Sequence, residues 1–116
     1  MLKLVNELRA EAKMPPVKLD DRLNRMAQDH SVHQANIRTM THDDPDGALG
    51  ERLAKYSITN WRGVSENVAR GSTDVAGAFQ QWKNSPGHYN NMAGEMTIAG
   101  FGVSNYFWTQ NFAKLA

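Results

Sequence analysis

Apolar residues recur at helical spacing from the start of the chain, where Leu2, Val5 and Leu8 alternate with Lys3, Asn6, Glu7 and Arg9. Met14-Pro15-Pro16 breaks this first helix, and Val17 to Leu19 form a short extended link. Asp20-Asp21 then caps a long second helix, whose buried face runs through Leu23, Met26, Ala27, His30, Gln34 and Ile37 to about Met40. A further helical segment is expected from about Ala48 to Tyr56. From Trp61 to Gly71 the helical spacing is lost, and Ser65-Glu66-Asn67-Val68-Ala69 reads as a short strand or extended segment. Val75, Ala78, Phe79 and Trp82 restore a helical stripe that ends near Asn84. Ser85 suits an N-cap and Pro86 the first helical position, so a second short helix starts there. Thr97 to Val103 and Tyr106 to Phe112 are extended runs joined by a tight turn at Ser104-Asn105.

This order of elements predicts an α+β domain, with helices flanking a small antiparallel sheet and no βαβ repeat or phosphate-binding glycine loop. The expected core comprises Leu23, Met26, Ile37, Val75, Phe79, Trp82, Phe101, Trp108 and Phe112. At 116 residues the chain has the length of one ordinary domain, spanning residues 1–116. No apolar run is long enough to span a bilayer. The net charge of +1 comes without a basic stripe, which argues against nucleic acid as a partner. The absence of cysteine removes disulfides, thiol nucleophiles and cysteine-ligated zinc. Met1 leads directly into the first helix rather than into a signal peptide, and no Asn-x-Ser/Thr sequon occurs.

Candidate chemistry centres on histidine. His88 falls in the first turn of the short helix, where the positive end of the dipole favours a neutral ring able to ligate metal or accept a proton. Local packing or hydrogen bonding is the alternative role for that ring. His30 lies on the buried helix face as a scaffold histidine, with His33 on a wetter side. The loop Thr41-His42-Asp43-Asp44-Pro45-Asp46-Gly47 invites a calcium reading, but an EF-hand register puts His42 at the first ligand position and Leu53 where a glutamate is required. A solvated turn explains Asp43 through Gly47 better. Ser85 reads as a cap rather than a nucleophile, and there is no His-Glu-x-x-His.

Seven motifs in order now resemble the CAP superfamily of cysteine-rich secretory proteins, antigen 5 and pathogenesis-related class 1 proteins. They are Leu4-Val5-Asn6-x-x-Arg9, Leu23-Asn24-x-Met26-Ala27-Gln28-x-His30-Ser31, Met40-Thr41-His42 and Glu66-Asn67-Val68-Ala69, then Trp82-x-Asn84-Ser85-Pro86-Gly87-His88, Gly100-Phe101-Gly102-Val103 and Trp108-Thr109-Gln110-x-Phe112. The cysteine-free form is similar to the microbial branch. The resemblance implies an α–β–α sandwich with an accessible cleft lined by His42, Glu66 and His88. A second cleft glutamate common in relatives is missing, since the stretch after Trp82 reads Lys83-Asn84-Ser85.

Two imidazoles and a carboxylate would suit a divalent ion, zinc above all, with one position open to water. The resemblance further implies an extracellular, secreted binding module, its signal peptide absent from this chain, for a sterol, fatty acid or other apolar ligand or for a partner protein. A scaffold or signalling domain with a relic cleft ranks second. A zinc-dependent hydrolase ranks third, because Glu66 cannot be both metal ligand and free general base.

Overall fold

The computed structural model describes all 116 residues. Helix α1 (Leu2–Glu11) is followed by a two-residue strand β1 (Lys18–Leu19), helix α2 (Asp21–Ile37) and helix α3 (Leu49–Lys55). Strand β2 (Trp61–Arg70), helices α4 (Val75–Lys83) and α5 (Pro86–Ala93), and strands β3 (Ile98–Ser104) and β4 (Phe107–Leu115) complete the chain. The strands form one sheet in the order β1-β3-β4-β2, leaving β1 and β2 at the edges. The β3–β4 and β4–β2 pairs are antiparallel, whereas β1 lies parallel to β3. The sheet is therefore mixed, a correction to the all-antiparallel expectation.

Each sheet face carries its own core, because alternate strand residues point to opposite sides. On one face Val5 and Leu8 of α1, Phe79 and Trp82 of α4 and Met92 of α5 pack on Ala99, Trp108 and Phe112. On the other, Leu23 and Met26 of α2 and Leu53 of α3 pack on Ile98 and Ala113. This is an α–β–α sandwich. Asp20 caps α2 by accepting from the Arg22 and Leu23 amides.

The fit of α2 to the sheet depends on two glycines. A Cβ on Gly100 would come within 2.1 Å of the Leu23 carbonyl carbon, and one on Gly102 within 2.4 Å of the Gln28 nitrogen. With the helix this close, its amide side chains serve the free edge of β3 beyond the short β1. The Phe101 N–H donates to Asn24 Oδ1 at 2.9 Å. The Val103 N–H donates to Gln28 Oε1 at 2.9 Å while Gln28 Nε2 donates to the Val103 carbonyl at 2.8 Å.

Arg9 is fully buried. Its guanidinium donates to the carbonyls of Pro15, Met92, Gly94 and Met96, tying α1 to the segment between α5 and β3. Burial without a carboxylate lowers its pKa from the ordinary arginine value.

Several expectations need correction. Helix α2 ends at Ile37 rather than near Met40, because Arg38 turns left-handed at φ 54°. Ile37 and Val75 are exposed, while Phe101 is half-buried against the core with its ring edge-on to Phe112. Strand β2 runs for ten residues rather than five. The hairpin turn falls at Asn105-Tyr106, one residue later than expected, with both residues at positive φ. Ser85 occupies the N-cap position of α5 but makes no capping bond.

Candidate functional site

Glu66 anchors the site. It sits on edge strand β2 with its side chain fully buried on the α2–α3 face of the sheet. Helix α3 brings Arg52 against it, Nη1 to Oε2 at 2.8 Å and Nη2 to Oε1 at 3.2 Å, a two-pronged pairing. Asn111, its cross-strand partner on β4, donates to Oε2 at 2.8 Å. His42 Nδ1 meets Oε1 at 3.0 Å from the loop before α3.

Burial pushes the Glu66 carboxyl up, but hydrogen bonds from His42 and Arg52 and the charges of Arg52 and His30 outweigh it. The net effect holds Glu66 below the usual carboxylate range. The same bond raises the His42 pKa above the ordinary histidine value, although partial burial opposes it.

Behind this pair lies buried His30. Its Nδ1 faces Asp44 Oδ2 at 2.8 Å and its Nε2 faces the Thr41 carbonyl at 2.7 Å, with Glu66 Oε1 at 3.5 Å. Both ring nitrogens are engaged, which holds the ring in place. His30 is thus the scaffold histidine that the helix pattern predicts. Asp44, however, is not a solvated loop residue. Its side chain is only 7 % exposed, and it pins the loop that presents His42.

Asn67, next to Glu66, points to the opposite face. It donates to Gln110 Oε1 at 3.0 Å and to the His88 carbonyl at 3.1 Å, and it accepts from Asn91. The Glu66–Asn67 dipeptide therefore binds the His42 loop on one face and the backbone of α5 on the other. His88 turns its Nδ1 to Ser85 Oγ at 2.9 Å, the contact that replaces the expected serine cap.

A cleft of about 640 Å³ opens over His42, Asp43, Leu49, Arg52 and Glu66. His42 is 58 % exposed on its wall, and His88 does not line it. No three histidine or acidic side chains are grouped as ion ligands, so His42, Glu66 and His88 do not form the expected three-ligand zinc set in this arrangement. Glu66 would have to leave Arg52 to serve an ion. Arg52 Nε–H is buried without a partner.

Arg52 and Asp44 were not expected as site residues. Arg52 had a signal, since it falls three residues after Leu49 and beside Leu53, on the apolar face of α3.

The three-layer sandwich is that of an SCP-type domain, since it superposes on a solved one. Residues 2–112 match the CAP, cysteine-rich secretory protein, family, and the chain belongs to it. It is 26% identical over 116 residues to the uncharacterized protein YkwD of Bacillus subtilis strain 168, covering 97% of this chain and 45% of that protein. An extracellular protein containing an SCP domain from Bacillus anthracis strain Ames superposes with a TM-score of 0.91 at 32% identity, over 97% of this chain and 38% of that one. An outer surface protein from Borrelia burgdorferi shares the fold, with a TM-score of 0.87 at 21% identity over 99% of this chain and 90% of that one. The chain spans under half the length of the two Bacillus proteins. No helix is long and apolar enough to cross a membrane.

Proposed function

We infer that the domain acts as an extracellular binding module whose His42 cleft holds a ligand without transforming it. One observation carries this reading: both Glu66 oxygens are engaged by Arg52, His42 and Asn111, while the His42 ring stands open on the cleft wall. A carboxylate so occupied is no free general base and no open ligand for a cation. With Nδ1 already on Glu66, the exposed His42 ring offers its other nitrogen as a single hydrogen bond to a ligand rather than as part of a set of ligands for a zinc ion. The raised His42 pKa works in the same direction, since protonation competes with metal. The descriptions of the B. anthracis and Borrelia proteins as extracellular and outer surface proteins support the location.

A second cavity supports the apolar-ligand side of this reading. About 200 Å³ lies between Met1, Val75, Phe101, Val103 and Trp108, with the size and lining for a short acyl segment.

The test is an NMR titration of chelator-stripped protein at neutral pH, with sodium acetate and zinc chloride in separate arms. Acetate is expected to move the His42 ring signals, and zinc to leave them in place. Saturation by one equivalent of zinc, abolished in His42→Ala and in His88→Ala, would replace this reading with the metal-cleft one. A fluorescent fatty acid displaced from wild type but not bound by Val103→Asp protein would assign the acyl cavity.

A further inference from the structure

Away from the cleft, the far end of β2 carries a different kind of pocket. It encloses about 340 Å³ and is lined by Arg38, Arg70, Gly71, Asn105, Tyr106 and Phe107. These residues come from the C-terminal cap of α2, the end of β2 and the β3–β4 turn. Glu66 lies four residues back along β2 from Arg70, roughly 13 Å at strand rise, so the two cavities use different residues.

Its charge is one-sided. No acidic residue lines it, and neither Arg38 nor Arg70 takes part in any ion pair of the protein. Arg70 instead lies over the Phe107 ring, 5.2 Å from its centroid. Stacking of that kind fixes the guanidinium plane and leaves its N–H edge free for an acceptor. Two guanidinium groups match the charge of a phosphate monoester, whereas a single carboxylate would leave one unpaired.

Left-handed backbone is concentrated around the pocket. Of the seven residues at positive φ in the chain, four line it: Arg38 at 54°, Gly71 at 96°, Asn105 at 50° and Tyr106 at 67°. Tyrosine is a poor choice for a left-handed turn position that glycine fills without strain. The Gly71 N–H donates to the Tyr106 carbonyl at 2.8 Å and clamps that turn to the end of β2. The outcome is an aromatic ring, 55 % exposed, held beside two unpaired arginines. Strain of this kind clusters at binding sites, where the surrounding structure holds it in place. The pocket also exceeds the size of a bare anion, leaving room for a ring or polyol against Tyr106.

We propose that this pocket binds a phosphate group carried on a sugar or polyol, with Arg38 and Arg70 pairing the phosphate and Tyr106 stacking on the attached carbon skeleton. The site stands independently of the His42 cleft, so either can fail without the other. Its natural source is a free sugar or polyol phosphate; a phosphodiester, with one charge, would leave one guanidinium unpaired as a carboxylate does.

The test titrates the full chain, at low salt, with ribose 5-phosphate, a glycerol phosphodiester oligomer, inorganic phosphate and ribose. Binding is read by calorimetry and by NMR signals of the two arginine side chains and the Asn105–Tyr106 amides. Ribose 5-phosphate is expected to bind more tightly than inorganic phosphate and than the oligomer, whose phosphates are singly charged, and ribose to leave these signals unmoved. An oligomer that binds as tightly as ribose 5-phosphate overturns the charge match. The double variant Arg38→Gln/Arg70→Gln, at two exposed positions, should keep its melting temperature and lose about tenfold or more in affinity. Tyr106→Gly should melt higher, because the strain is relieved, while its affinity for ribose 5-phosphate falls toward that for inorganic phosphate. Absence of shifts at these residues with millimolar ligand, or equal affinity in the double variant and wild type, overturns the proposal.

Discussion

Replacing Arg52 by methionine probes the feature on which the cleft rests. The substitution keeps much of the aliphatic stem and removes the two bonds to Glu66, whose side chain is fully buried beside a guanidinium only 2 % exposed. A buried pair broken from one side leaves an uncompensated charge, which costs about 3–5 kcal/mol. With an unfolding entropy of roughly 2.1 cal/mol/K per residue, that loss lowers the melting temperature of a 116-residue chain by roughly 12–20 °C. Differential scanning calorimetry at neutral pH measures it directly.

Two further readings belong to the same experiment. In Arg52→Met/Glu66→Gln the buried charge is gone, so the double variant should lose less than the sum of the single ones. The deficit of Arg52→Met should also shrink in acid. Glu66 in the wild type sits below its ordinary 4.5, so its contribution is present above that value and is lost as pH falls through the folded-state pKa. Without Arg52, burial favours the neutral acid, and the variant has less to lose. A melting temperature for Arg52→Met within about 4 °C of wild type, equivalent to about 1 kcal/mol, would refute the assignment of Arg52 as the partner that keeps Glu66 ionised.

His42→Ala should cost under about 1 kcal/mol, because the ring is more than half exposed. The raised His42 pKa means its contribution is full below 6.5 and lost as pH rises through the folded-state value; urea midpoints of variant and wild type should therefore converge in alkali. Gly100→Ala should destabilise by about 1–3 kcal/mol or more, since the clash at 2.1 Å is with helix backbone. Gly87→Ala, with nothing within 4 Å of the new carbon, is the neutral control in the same denaturation series. Arg9→Lys should cost about 1–3 kcal/mol in chemical denaturation, because one ammonium cannot serve four separate carbonyls.

The helices are legible in the sequence because their apolar faces repeat locally: Phe79 and Trp82 announce α4, and Leu23 and Met26 announce α2. What escapes is set by partners distant in sequence. Ile37 fits the α2 stripe, yet the helix has run past the core by that point and ends there. Nothing local says that Lys18-Leu19 will pair with Ile98-Ala99, or that the pairing is parallel. The hairpin turn sits one residue beyond its expected place because Ser-Asn is the better turn dipeptide and tyrosine is disfavoured at positive φ.

At the site, Glu66 and His42 come from the resemblance rather than from spacing, and the structure joins them directly. His88 is marked by its place at the start of α5 as well as by the resemblance, but its backbone is bound on the other face of β2. Asp44 is hidden in a loop whose Asp, Pro and Gly content looks solvated, although His30 holds its carboxylate inside.

The side chains of Asn24 and Gln28 have a consequence that extends beyond one molecule. A strand edge with free N–H and C=O groups is a template on which another chain can grow a sheet, and β1 covers only the first two residues of β3. Past that point the domain supplies carboxamides from its own helix, which present to β3 the same donors and acceptors as a peptide backbone without offering a further edge. The sheet is terminated from within, so copies of this domain crowded together have no open ladder along this side through which to join.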